Sequence, residues 1–214
     1  MRPSDFARVR LALAVLVLAG ALAAGLAVAQ ETVEEPSTKK RFPATVTLAD
    51  GEETFSLPLT GTAVRKKFIV KVYAVAHHMA GGPFASEDEA LVAALAGGTP
   101  RQLTLHFARG VGADKIQGAF REGFEKNASV EEGELIRDAV EQFAGYFDGD
   151  VAEDEQYVLR WMPGGTVTTV VAGEEKPAIE NEAFARVLWR IWLGEKAIVD
   201  RKKLVRLAVA EDAE

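Results

Sequence analysis

The stretch that most restricts how this chain can fold is Gly61–Ala76, GTAVRKKFIVKVYAVA. From Phe68 onward one parity carries Phe68, Val70, Val72 and Ala74, and the other carries Ile69, Lys71, Tyr73 and Val75. Successive side chains of a strand point to opposite faces, and β-branched and aromatic residues favour that conformation. The stretch therefore predicts a strand with one apolar, buried face. The cations Arg65, Lys66 and Lys67 precede it and put Arg65 at its mouth, on the side of Lys67, Lys71 and Tyr73. A basic strand end facing solvent and a cationic seat for an anion both fit that pattern.

Strand and helix patterns surround this stretch in a definite order. Residues 42–48 and 53–59 alternate apolar and polar around Ala49-Asp50-Gly51, which predicts a hairpin. Pro58 marks an edge position or the end of pairing. Ser86 with Glu89 three residues on has capping-box spacing for a helix that Gly97-Gly98 and Pro100 stop near Ala96. Residues 101–109 read as a strand. Two amphipathic helices follow, one capped by Asp114 and closing near Asn127, the other over 131–147. Pro163-Gly164 joins strands at 156–162 and 165–172, and Gly173-Glu174-Glu175 reads as a further turn. A helix over 182–193 ends at Gly194, and a short basic helix covers about 200–207. Strands on both sides of a helical middle imply an α+β domain, an antiparallel sheet with helices on one face.

The front of the chain differs in kind. Arg2, Arg8 and Arg10 precede an uncharged apolar run, Leu11–Val28, that ends in Ala27-Val28-Ala29. That is the pattern of a signal peptide over residues 1–29, with cleavage before Gln30 and export to a periplasmic or extracellular space. Left uncleaved, residues 11–28 are long enough to anchor the chain in a bilayer. Residues 30–41 are polar and charged and read as a disordered spacer, leaving 42–210 as the domain. No cysteine occurs, which excludes disulfides, thiol catalysis and zinc–thiolate sites. The net charge is −7, and the leader holds three Arg against one Asp, so the remainder is more acidic still. That balance argues against nucleic acid or an anionic membrane as a partner. With the leader removed, no stable membrane insertion is expected.

Few residues suggest chemistry. His77 and His78 are neighbours and would point to opposite faces of a strand, so only one could join His106 on a metal, and no metal site or cofactor is expected. Ser56 and Ser129 lack a nucleophile-elbow context, and no glycine-rich phosphate loop is present. Trp189 and Trp192 fit a helix core. Arg65 remains, with Lys67 and Tyr73 beside it. A guanidinium binds a carboxylate or enolate through two parallel hydrogen bonds, so at the end of an apolar cleft it suits an amphiphilic acid. The same layout serves an enzyme that stabilises an oxyanion.

Four segments in order, GTAVRKKFIVKVYAVA, LTLHFARGVGADKIQGAFREGFEKN, VLRWMPGGTVTTVVAGEE and IENEAFARVLWRIWLGEKAI, resemble the chalcone isomerase-like proteins over about Val46–Leu207. The resemblance implies an open-faced β-sandwich, a large antiparallel sheet covered by helices with a ligand cleft between. It implies a role for Arg65 on a nucleophilic oxygen in the enzymes or on a carboxylate in the fatty-acid-binding relatives. Other positions depart: Phe68 stands for a strand threonine, Lys115 for a tyrosine, Glu122 (with Asn127 near) for an asparagine, and Ile191 for a small hydroxyl residue. Each lost oxyanion donor costs about 10²–10³ in rate. The expectation is an exported, non-catalytic binder of a fatty-acid-like carboxylate, with Arg65, Lys67, Phe68, Tyr73, Lys115 and Ile191 around the ligand. The alternatives are an intramolecular lyase or isomerase acting on an unidentified enone, with Arg65 catalytic, and a structural or partner-binding envelope protein.

Overall fold

In the computed structural model, which describes residues 31–210, one long strand with two partners sets the architecture. It is β4 (Glu53–Lys67), preceded by β1 (Thr32–Glu34), β2 (Arg41–Pro43) and β3 (Thr45–Asp50). β3 pairs with β4 up to Thr45 opposite Pro58, and from Leu59 onward β4 pairs with β5 (Val70–Met79). Pro58 is thus the handover point between partners. A residue with no N–H to give is tolerated where one ladder stops and the next begins.

The sheet continues through β6 (Arg101–Phe107), β7 (Gln156–Trp161), β8 (Thr166–Val171) and β9 (Glu174–Glu180), in the order β3-β4-β5-β6-β7-β8-β9, antiparallel throughout. Helices α1 (Glu87–Leu95), α2 (Ala113–Asn127), α3 (Val130–Gly145) and α4 (Glu182–Leu193) join its face in one continuous apolar core. This is the expected α+β arrangement of a large antiparallel sheet under a helix layer. α4 packs against each of α1, α2 and α3 and buries eight of its twelve residues, from Phe184 to Leu193. A helix apolar nearly all round belongs at the centre of such a layer.

Side-chain caps begin three of the helices, and the one at Ser86 lies where its spacing predicts. Ser86 Oγ accepts from Glu89 N, Ser129 and Glu132 form a full capping box, and Asn181 caps α4. α2 differs from expectation: Gly112 holds the N-cap position, Asp114 lies in the first turn, and the Asp150 carboxylate accepts from Ala113 N instead. The basic segment after Gly194 is not one helix but two 3-10 turns, Lys202–Leu204 and Arg206–Ala208.

Four other expectations are corrected. Residues 31–40 are not a disordered spacer: β1 and β2 pair, and the Glu35 carboxylate closes the turn between them by accepting from Ser37 N, Thr38 N and both hydroxyls. Glu174–Glu180, beyond the expected turn, is the edge strand β9. Phe68 and Ile69 do not begin a strand but form the turn between β4 and β5. Strand β5 also lacks the single buried face predicted, because both of its faces are buried. Tyr73, Val75 and Met79 meet the helix-side core, while Ala74 and Ala76 meet Phe42 of β2 on the other side. Both faces are covered, so alternation alone could not identify the helix side.

The leader, residues 1–29, lies outside the described residues. Among those described, no helix is long and apolar enough to cross a membrane.

Candidate functional site

Arg65 and Tyr73 are cross-strand partners on β4 and β5, so their side chains share the helix-facing side of the sheet. A register shift follows at Lys66, where an extra residue on β5 lets Val72 and Tyr73 both reach the helix-side core. Arg65 is half-buried, and its Nη1 donates to the Ile198 carbonyl at 3.1 Å, in the loop after α4. Among the described residues it makes no ion pair. The nearby carboxylate whose acidity Arg65 and Lys67 both raise is Glu122, and Glu122 is already paired with Lys126.

Tyr73 is buried, and its hydroxyl accepts from Trp192 Nε1 at 3.0 Å. Burial pushes the phenol up to about 12, with the Trp192 bond and the Arg65 charge acting in the opposite direction. The group is therefore a neutral donor at neutral pH, free to offer its proton to an acceptor beside Arg65.

Behind this pair the interior is filled by rings. Tyr73 meets Phe107 at 5.5 Å, Phe107 meets Tyr157 at 4.8 Å and Tyr157 meets Phe147 at 5.1 Å. Phe147 stacks on Phe120 at 4.6 Å, Phe120 meets Trp192 at 6.2 Å, and Trp192 returns to Tyr73. Six aromatic side chains thus close a circuit between sheet and helices, where the sequence predicts a cleft. Two open cavities lie elsewhere. One, of about 430 Å³, sits between β3 and the β7–β8 hairpin and includes Arg160 and Thr168. The other, of about 590 Å³, lies between α1 and the C-terminal ends of α2 and α4, with Leu91, Val92 and Leu95 beside Lys126, Lys196 and Arg201. Neither is lined by Arg65 or Tyr73.

The remaining sequence candidates scatter. Lys67 is exposed on the last residue of β4, and Lys115 is exposed in the first turn of α2. Ile191 is buried and fills the space left by Gly123, where an added Cβ would come within 2.9 Å of its Cδ1. Phe68 is 92% exposed with φ at +55°, so it faces away from the interior and cannot be the position where a cleft threonine is replaced. Only Tyr73 joins Arg65. Trp192 and Ile198 complete the site. The sequence marked Trp192 as core, and nothing in a local pattern links Ile198 to a strand 133 residues earlier.

The histidines do not converge. His77 Nδ1 is 2.7 Å from Thr60 Oγ1, whereas His78 Nε2 meets the Pro43 carbonyl at 2.9 Å. Among the described residues no group of three His, Cys, Asp or Glu side chains could hold a metal ion.

Comparisons with known proteins agree with this architecture. A family model described as chalcone isomerase-like matches residues 37–204. Among solved structures, the crystal structure of a fatty-acid binding protein of Arabidopsis thaliana superposes with a TM-score of 0.62 at 16% identity. That match covers 83% of this chain and 97% of the plant chain, and at such low identity it shows a shared fold. No curated protein matches the sequence.

Proposed function

Since the chain belongs to the chalcone isomerase-like family, we propose that it binds a fatty-acid-like carboxylate, with Arg65 on the acid group and Tyr73 as a second donor. The observation that carries this reading is the state of Arg65. It is a half-buried guanidinium with no carboxylate partner among the described residues, held by one carbonyl and set opposite a buried phenol. Desolvated cations are ordinarily paired, so an unpaired one beside an apolar interior fits an anion that arrives from outside. The similar fold of the plant fatty-acid binding protein supports the ligand class. On this reading the acyl chain enters past the Ile198 loop and displaces rings of the aromatic circuit. The leader pattern in the sequence supports a further part of this reading, that binding takes place outside the cytoplasm.

The test is native mass spectrometry and calorimetry of the delipidated protein against a fatty-acid panel, with Arg65→Ala beside it. Loss of a charge-assisted bond of about 1.5–3 kcal/mol predicts binding weakened about ten- to a hundredfold. Equal binding by Arg65→Ala removes Arg65 from the site, and no binding by either protein removes the reading.

The closed aromatic circuit favours a second reading, a structural or partner-binding protein whose interior holds no ligand. It predicts no acid bound at any concentration and unchanged behaviour of Arg65→Ala.

A further inference from the structure

The turn between β4 and β5 breaks three rules of hairpin construction at once. Lys67 pairs with Val70, which leaves Phe68 and Ile69 as a two-residue loop. Such loops ordinarily take Asn, Asp or Gly, because positive φ is required and solvent surrounds them. Here a bulky aromatic occupies φ +55°, and the two side chains are 92% and 93% exposed. One step back, Lys66 stands directly opposite Lys71, a like-charge pair that opposes strand pairing. None of this serves the fold. Local conflicts with no structural return mark functional positions.

We propose that this tip is a membrane-docking finger, in which Phe68 and Ile69 enter the interfacial layer of an anionic bilayer and Lys66, Lys67 and Lys71 contact its headgroups. The chemistry is complementary on both counts. Two protruding apolar side chains match the headgroup–acyl boundary, and a surrounding set of cations matches a negative surface. Lysine stems can lie along the apolar zone while the ammonium groups stay in water. Lys71 is oriented by donating to the Ser37 carbonyl of the β1–β2 turn, and Lys66 and Lys67 are exposed.

The overall charge of −7 does not oppose this. Charges more than about 8 Å apart are largely screened at physiological salt, so the tip is felt by its own cations. Glu122, the carboxylate whose acidity Lys67 and Arg65 raise, is paired with Lys126. A second copy of the chain is a poor occupant, since tip against tip would oppose cation to cation. A two-residue wedge is also small against the roughly 800 Å² per partner of a stable protein interface.

The test is flotation of residues 31–214, the compact unit that holds every described element and its cores, on vesicles. Equimolar phosphatidylcholine and phosphatidylserine should carry the protein, and pure phosphatidylcholine should not. Phe68→Ser/Ile69→Ser and Lys66→Glu/Lys67→Glu should each weaken binding at least tenfold while leaving the far-UV spectrum unchanged. Added salt should release the wild type. The proposal is overturned if wild type fails to float, if either double variant floats equally well, or if ultracentrifugation shows a dimer that Phe68→Ser/Ile69→Ser abolishes.

Discussion

Trp192 Nε1 donates to the Tyr73 hydroxyl inside the core, tying the central helix α4 to strand β5 at 3.0 Å. Both groups are buried, so each satisfies a polar atom that water cannot reach. Tyr73→Phe removes the acceptor and leaves an indole N–H without one. We expect a loss of about 1–3 kcal/mol in urea unfolding, and a double-mutant cycle with Trp192→Phe showing coupling of about 1 kcal/mol. Zero coupling would mean the contact contributes nothing.

Arg101 is a fully buried cation without a carboxylate partner among the described residues. Its guanidinium donates to the carbonyls of Ala93, Ala94 and Thr99, closing the end of α1, and lies 4.5 Å from the Trp161 ring centroid. Burial pushes it down to about 10, still charged at neutral pH. Carbonyls at a helix C-terminus carry partial negative charge and here stand in for the missing counter-ion. Arg101→Met should cost about 2 kcal/mol or more and raise amide exchange first in the last turn of α1. Exchange that rises uniformly across the domain would argue against a capping role.

Burial pushes the His77 imidazole from 6.5 down to about 3, and the charges of Arg101 and His78 act in the same direction. The unfolded chain takes up this proton near 6.5, whereas the folded one refuses it until about 3. Stability is therefore complete above that window and falls as pH drops through it, by up to about 1.4 kcal/mol per pH unit for this group. His78 and His106 are shifted downward too, chiefly by burial, and add to the slope. Denaturant midpoints across mildly acidic pH should show the decline, and His77→Gln should flatten it by about one proton's worth. An unchanged slope would show that the folded chain takes up the His77 proton as readily as the unfolded one.

Gly61 is a prediction about space. A Cβ there would lie 2.0 Å from the Lys203 carbonyl oxygen and 2.7 Å from the Leu204 carbonyl carbon, both backbone atoms that cannot swing aside. Gly61→Ala should cost at least ~2 kcal/mol and lower soluble yield, as overpacking does. A melting temperature equal to wild type would show that the 203–204 turn is able to retreat.

What the sequence made legible follows from where information is local. The capping pair Ser86–Glu89, the Pro163-Gly164 turn and the Gly194 stop are short-range chemistry, and each is found in place. β9 was hidden because an edge strand needs little burial. In EEKPAIE only Ile179 is buried, and Pro177 is tolerated at an edge. The β1–β2 turn is built by one carboxylate, which composition reads merely as polarity. Phe68 misled because its hairpin loop contains no turn residue. Arg65 stood out by its charge, but its own partner Ile198, and Trp192 on its cross-strand neighbour Tyr73, are long-range and carry no local signature.

The contact of Gly61 with Lys203 and Leu204 also sets an order of events. Thr60 Oγ1 reaches the Leu204 carbonyl at 2.7 Å across a separation of 144 residues, and Phe84 exchanges backbone bonds with Ala208 and Ala210. A chain delivered from its N-terminus first can pair β4 with β5 early, since the two are adjacent. The middle of β4 stays uncovered until the last described turns emerge. Completion of this domain therefore waits for residues 203–210, and a ribosome paused before residue 203 would present an unfinished sheet to whatever chaperone meets it.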